Sequence, residues 1–159
     1  MALKVSVEPY PHRYTAAASG GFSGGVVVTA PGAAAFTSAP ARQFGGPGDA
    51  WSPEALLVAA LADCFVFTFR AVSGAALFGW QQIECRAEGL LEKRERVAQF
   101  TRVSLQARLT LAPGADATRA KRLLRQADRA CLIANSLKAE RSLEIHIVHA
   151  VSGMSPAPL

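Results

Sequence analysis

The residues of this chain best suited to chemistry are its three cysteines, Cys64, Cys85 and Cys131. A thiolate is a nucleophile and a metal ligand, whereas a buried thiol is only a small apolar filler. Spacing separates these roles. No two of the cysteines form a CxxC pair, and His12, His146 and His149 lie at no ligand spacing near them, so neither a metal nor a cofactor is expected. Cys–His acyl-transfer chemistry needs a base oriented beside the nucleophile. No such base is in place: His146 falls on the opposite strand face from Ile145 and Ile147, and His12 and His149 lie near segment ends. Cys85, between Ile83 and Ala87 on the apolar face of an alternating segment, reads as structural. Cys64 lies within LADCFVFTF (61–69), where it and Asp63 interrupt a run suited to burial.

The elements that would carry these residues can be read in order. Residues 13–19 and 25–30 suit strands joined by the glycine-rich turn GGFSGG, with a third short strand near 33–38, and 40–54 is a Pro- and Gly-rich loop. Ser52 is a good N-cap, Pro53 suits the first helical position, and Glu54 falls in the first turn, where the helix dipole favours a carboxylate. The helix that follows is apolar on nearly every face and is expected to end near Ser73–Gly74. Such a helix needs cover from other elements or from a partner subunit. Ile83, Cys85, Ala87, Gly89 and Leu91 then alternate with polar residues. Beyond the charged turn EKRER (92–96), Val103, Leu105, Ala107, Leu109 and Leu111 do the same, which predicts a long antiparallel hairpin with one buried face. Asp116 can cap a second helix with Ala120, Leu123, Leu124, Ala127 and Cys131 on its inner side and Arg119, Arg122, Arg125 and Arg129 on its wet side. Residues 142–150 read as a final strand and the tail as frayed. This order predicts an α+β fold in a single domain, residues 1–159.

The chain has 159 residues, half of them apolar and 18% charged, with a net charge of +5. It has no basic tail and no arginine–aromatic pattern, so a nucleic-acid partner is not expected. The N-terminal stretch MALKVSVEPYPHRY lacks a secretory signal. The most membrane-like run, 55–69, carries Asp63, is flanked by Glu54 and Arg70, and falls short of the ~20 residues of a span. The expected compartment is therefore a reducing cytoplasm, where a persisting disulfide is functional rather than structural.

Two segments carry a resemblance. SPEALLVAALADCF (52–65) has Pro-Glu followed by a cysteine ten residues after the Glu, and ACLIANSLKAE (130–140) places Cys131 four residues before Asn135. Both are similar to the signature regions of the OsmC/Ohr family of osmotically induced and organic-hydroperoxide-resistance proteins, and the order of elements agrees over nearly the whole chain. The resemblance implies an OsmC-like fold, with antiparallel sheets packed around a long buried central helix in an intertwined homodimer. It implies a peroxidase for organic (alkyl or lipid) hydroperoxides, with Cys64 attacking the O–O bond, Cys131 resolving the sulfenic acid as a disulfide, and an external dithiol, such as a lipoyl protein, reducing that disulfide. Glu54 and Cys64 are ten residues apart on one helix, roughly 15 Å by the usual rise. An active-site Glu54 must therefore serve the cysteine of a second subunit, which again predicts a two-fold dimer.

Three positions depart from the family pattern. Gly20-Gly21-Phe22 stands where the Ohr branch often has Gly-Gly-Arg, leaving Arg42 as the candidate activating arginine and Arg13 behind it. Asp63 stands where a small residue is usual. Leu132 replaces the proline after the second cysteine. The alternative function for the same fold is binding or sensing of a hydrophobic ligand with little peroxidase activity.

Overall fold

The computed structural model describes residues 8–151. The chain divides into two compact units, the first up to Ala55 and the second from Leu56 onward. In the first, three short strands form an antiparallel sheet in the order β1 (Ala17–Ser19), β2 (Val26–Thr29), β3 (Phe36–Ser38). These strands are shorter than the segments 13–19, 25–30 and 33–38 expected from the sequence. A 3-10 turn at Arg42–Phe44 follows, and Ser38 makes an isolated bridge to Trp51.

Helix α1 (Pro53–Ala75) begins as the sequence predicts, with the Ser52 hydroxyl accepting from the Ala55 N–H at 3.2 Å and Glu54 in the first turn. It ends at Ala75, one residue past the expected Ser73–Gly74. Leu77 takes the left-handed conformation (φ 50°), and Arg119 donates to the Ala76 carbonyl at 2.6 Å, so a side chain from elsewhere satisfies the helix end. At 23 residues, α1 exceeds the 55–69 run and is long and apolar enough to cross a membrane. It is nonetheless a core helix. Leu61, Phe65, Phe69 and Ser73, one turn apart, are buried, and Trp80 packs on Phe69 while donating to the Ser73 hydroxyl at 2.9 Å. The rest of α1 is only partly covered within the protomer; Phe67 is 57% exposed.

In the second unit β4 (Gln82–Arg94) and β5 (Val97–Leu111) form the expected hairpin. The strands continue through most of the charged segment, and the turn is only Glu95-Arg96, both at positive φ (47° and 74°), as a tight two-residue hairpin requires. A bulge between Leu90 and Leu91 shifts the register, and Leu91, expected on the buried face, is exposed. Before the bulge the faces alternate as predicted. Val103, Leu105, Ala107, Leu109 and Leu111 of β5 are buried against Leu61, Phe65 and Phe69 of α1.

Helix α2 (Ala117–Ala130) is capped by Asp116, whose carboxylate accepts from the Arg119 N–H at 2.9 Å, and it buries Ala120, Leu123, Leu124 and Ala127. A one-turn helix, α3 (Leu132–Asn135), leads to β6 (Glu140–His149). The second sheet has the order β4-β5-β6, and β6 runs parallel to β5, from Arg102↔Glu140 to Leu111↔His149. The sheet is thus mixed rather than wholly antiparallel, because α2 and α3 carry the chain back to the starting edge before β6 begins. The fold is α+β, as expected. The outer face of this sheet is polar, with a shallow concavity of about 430 Å³ lined by residues such as Arg86, Glu88, Gln106 and Glu144.

Candidate active site

Cys64 lies on α1 beside the buried stripe, one turn beyond Leu61, and is half-buried. Cys131 is fully buried at the junction of α2 and α3. The junction is a sharp break. Cys131 adopts an extended conformation (φ −66°, ψ 114°) that ends α2 and starts α3 without a proline, its N–H donating back to the Asp128 carbonyl at 3.3 Å. Asn135 braces the break. Its side-chain amide donates to the Arg129 carbonyl at 3.1 Å, its carbonyl oxygen accepts from Arg141 at 3.0 Å, and its N–H donates to the Cys131 carbonyl at 3.0 Å.

This arrangement brings the two thiols together. Cys64 packs against the buried cluster that includes Cys131, with Ile133 beside it. Thr68, one turn further along α1, places its hydroxyl 3.9 Å from the Cys64 sulfur while donating to the Cys64 carbonyl at 2.7 Å. Both cysteines are free thiols.

The two thiols are poised oppositely. At Cys64, burial pushes the pKa up, but donation from the Ile133 N–H, the Cys131 thiol, the Thr68 hydroxyl and the Leu132 N–H outweighs it, and the net lies below the ordinary thiol value. At Cys131, burial dominates, and the adjoining Cys64 adds to the rise. The N–H groups of Ala134 and Ile133 oppose them only in part, leaving the thiol at about 11. A negative charge placed on this pair therefore resides on Cys64. Cys85 matches its structural reading: burial, with an added push from Cys131, raises it to about 12.

The other predicted residues lie elsewhere. Glu54 is in the first turn of α1, and one carboxylate oxygen, Oε2, is shielded from solvent with no hydrogen-bond partner among the described residues. Unbroken helix, about 15 Å of rise, separates it from Cys64. Arg42 is exposed in the 3-10 turn, its guanidinium lying over Gly48 of the same loop. Arg13 and Asp63 are exposed. His146 pairs with Glu144 at 3.1 Å, and His12 and His149 bond to main-chain carbonyls. Among the described residues no cluster of His, Cys, Asp and Glu could hold a metal.

Sequence reasoning did not identify Thr68 or the donors of Leu132 and Ile133. The threonine was detectable in principle, as a hydroxyl four residues after the cysteine on an otherwise apolar helix. The main-chain donors leave no side-chain signature.

The profile of the OsmC-like protein family matches residues 46–146, a span that includes both cysteines, Glu54 and the Asn135 brace. Peroxiredoxin OsmC of Escherichia coli is 29% identical over 96 residues, covering 60% of this chain and 66% of that protein. Among solved structures, an OsmC-like protein of unknown function from Vibrio cholerae superposes with a TM-score of 0.78 at 18% identity, over 85% of this chain and 99% of that one. An organic hydroperoxide resistance protein from Legionella pneumophila superposes with a TM-score of 0.69 at 25% identity, over 87% and 98%. The chain belongs to the OsmC-like protein family.

Proposed function

We propose that this protein is a thiol peroxidase for organic hydroperoxides, with Cys64 as nucleophile and Cys131 as resolving thiol. The observation that carries the reading is that two free thiols fall in one packed cluster, with the surroundings of Cys64 lowering its pKa and those of Cys131 raising it. The Cys64 thiolate attacks the terminal peroxide oxygen. The O–O bond breaks, the alkoxide leaves and takes up a proton as alcohol, and the sulfur becomes a sulfenic acid. The Cys131 sulfur then attacks that sulfur, a disulfide forms, and the sulfenic oxygen leaves as water with the thiol proton. An external dithiol restores the pair by thiol–disulfide exchange. Apolar surroundings of Cys64, such as Phe65 and exposed Phe67, suit an alkyl or lipid peroxide.

The working unit in this reading is a two-fold dimer of the whole 159-residue chain, which we treat as one functional domain. Incomplete cover of the apolar α1 supports it, and so does the unpartnered Glu54 oxygen, which is an acceptor suited to a cation. Antiparallel α1 helices would set Glu54 of one subunit toward the partner subunit's Cys64, with Arg42 bridging to it.

The test is free-thiol count and intact mass after one equivalent of cumene hydroperoxide is added to reduced protein. Loss of two thiols, with a Cys64–Cys131 disulfide on peptide mapping, is expected. Three thiols remaining with peroxide unconsumed refutes the peroxidase reading and favours a hydrophobic-ligand binder. Sedimentation showing a stable folded monomer at micromolar concentration refutes the dimer.

A further inference from the structure

We infer that the basic outer face of α2, with the start of β6 beside it, is the docking surface for an acidic dithiol protein that reduces the Cys64–Cys131 disulfide. Helix α2 carries Arg119, Lys121, Arg122, Arg125 and Arg129 against a single carboxylate, Asp128. Arg119 is committed to the fold, its guanidinium donating to the Ala76 carbonyl and lying over the Phe78 ring. The other four cations are exposed. Residues three and four apart on a helix are neighbours, so Lys121, Arg125 and Arg129 form one row with Arg122 beside it. Like charges at this spacing destabilise a helix. No acid offsets the row: none of its side chains is paired with a carboxylate among the described residues, Asp128 is partly buried, and Glu140, the next acid along the chain, pairs with Arg102 at 4.0 Å. The apolar side of α2 is taken up by the core through Ala120, Leu123, Leu124 and Ala127, so the helix offers a partner charge and no face to bury in lipid.

The place of this face in the fold names the partner. The three Asn135 hydrogen bonds tie the end of α2, Cys131 and the first residues of β6 into one clasp. Arg129 and Leu132 flank the buried Cys131 in sequence, and the clasp holds the Arg141 guanidinium beside them. Leu132 is 62% exposed, an apolar contact set among cations. A negative dithiol protein is drawn to such a surface and oriented by it. Its thiolate attacks one sulfur of the disulfide, and the other sulfur leaves as thiolate and takes a proton. The partner's second thiol then closes its own disulfide and frees the first sulfur, so two electrons and two protons pass from the dithiol to the protein.

The inference rests on the peroxidase reading for the disulfide, and its test makes that disulfide with diamide rather than peroxide. Reduction is followed with a short peptide carrying a CxxC pair among glutamates, and with uncharged dithiothreitol. Arg125→Glu/Arg129→Glu should slow the acidic peptide roughly tenfold at low ionic strength, lose the effect in about 0.5 M salt, and leave dithiothreitol unchanged. Lys93→Glu, exposed on the hairpin, should track the parent. Equal rates in the parent and the double variant overturn the inference, as does an equal loss in Lys93→Glu. If diamide closes no disulfide, binding decides: the same peptide with serines for its cysteines should shift the amide resonances of Arg125, Arg129 and Leu132 in the reduced parent, and stationary amides there overturn the proposal. Tighter binding to phosphatidylserine vesicles than to the peptide, lost in the double variant, would assign the face to a lipid surface and also overturn it. Charge-dependent reduction in a protein that consumes no peroxide would uphold the docking surface and reject the enzyme.

Discussion

Brief exposure of the reduced, native protein to iodoacetamide at pH 7 should label one cysteine per chain, Cys64. The selectivity follows from the surroundings of each sulfur. Cys131 stands at about 11 and Cys85 at about 12, so at pH 7 roughly one Cys131 in 10⁴ and one Cys85 in 10⁵ is a thiolate, against about one in 10² for a thiol at the ordinary 9.0. A more basic thiolate is also more reactive, with a Brønsted slope of about 0.5, and this returns half of each logarithmic difference. An ordinary thiol would still outpace Cys131 about tenfold and Cys85 about thirtyfold. Cys64 lies below the ordinary value, which widens both margins, and the complete burial of Cys131 widens its margin again. The assay is tryptic mass mapping at timed quenches, with urea-unfolded protein as the control in which all three label alike. Comparable labelling of Cys131 in the folded protein would refute the argument, because the two thiols would then share the charge.

Cys64→Ser should abolish peroxide turnover, and Cys131→Ser should leave one attack per subunit and then stall, as a single-turnover assay would show. Thr68→Val, which keeps the shape and deletes the hydroxyl, should move the Cys64 labelling profile to higher pH and slow it roughly threefold at pH 7. Alkaline stability follows from Cys131 and Cys85. Their folded pKa values lie above the ordinary 9.0 expected of the unfolded chain, so their contribution is complete below pH 9 and is lost as pH rises through 11 to 12. Urea midpoints should fall between pH 9 and 11, and Cys85→Ala should flatten that fall; a pH-independent midpoint would contradict it. Gly89→Ala should cost about 1–3 kcal/mol by chemical denaturation, because the new methyl would sit 2.6 Å from the Phe100 ring and 3.0 Å from Val58.

The start of α1 was legible because Ser52, Pro53 and Glu54 each act locally. The hairpin was legible because period-two alternation survives wherever one face is buried. The tight turn was not, since Glu95 and Arg96 are not residues that announce positive φ. The end of α1 was legible to within a residue from Ser73 and Gly74, whereas the Arg119 side chain that donates to the Ala76 carbonyl was not, because it lies far along the chain. The parallel direction of β6 depends on how α2 returns the chain, which its own alternation does not encode. At the site, Cys64 and Cys131 were legible as candidates through the two motifs, and both fall in one packed cluster. The groups that tune Cys64 were not, because two are peptide N–H groups whose direction is set by the break at Cys131. Glu54 and Arg42 would act only in the proposed dimer, which a single protomer does not test.

The parallel pairing of β5 and β6 has a consequence for how the protein is made. Everything between these strands, including Cys131 and its clasp, is the crossover that closes them, and parallel neighbours cannot pair until their crossover is in place. During synthesis α1 and Cys64 emerge long before Arg141, the last member of the clasp. A growing chain thus passes through a stage in which the thiol has been translated but nothing holds a second sulfur beside it. Oxidant met at that stage can carry Cys64 past sulfenic acid to the irreversible acids. In the proposed cycle a sulfenic acid formed on Cys64 at that stage has no second thiol to resolve it, and the finished fold supplies one.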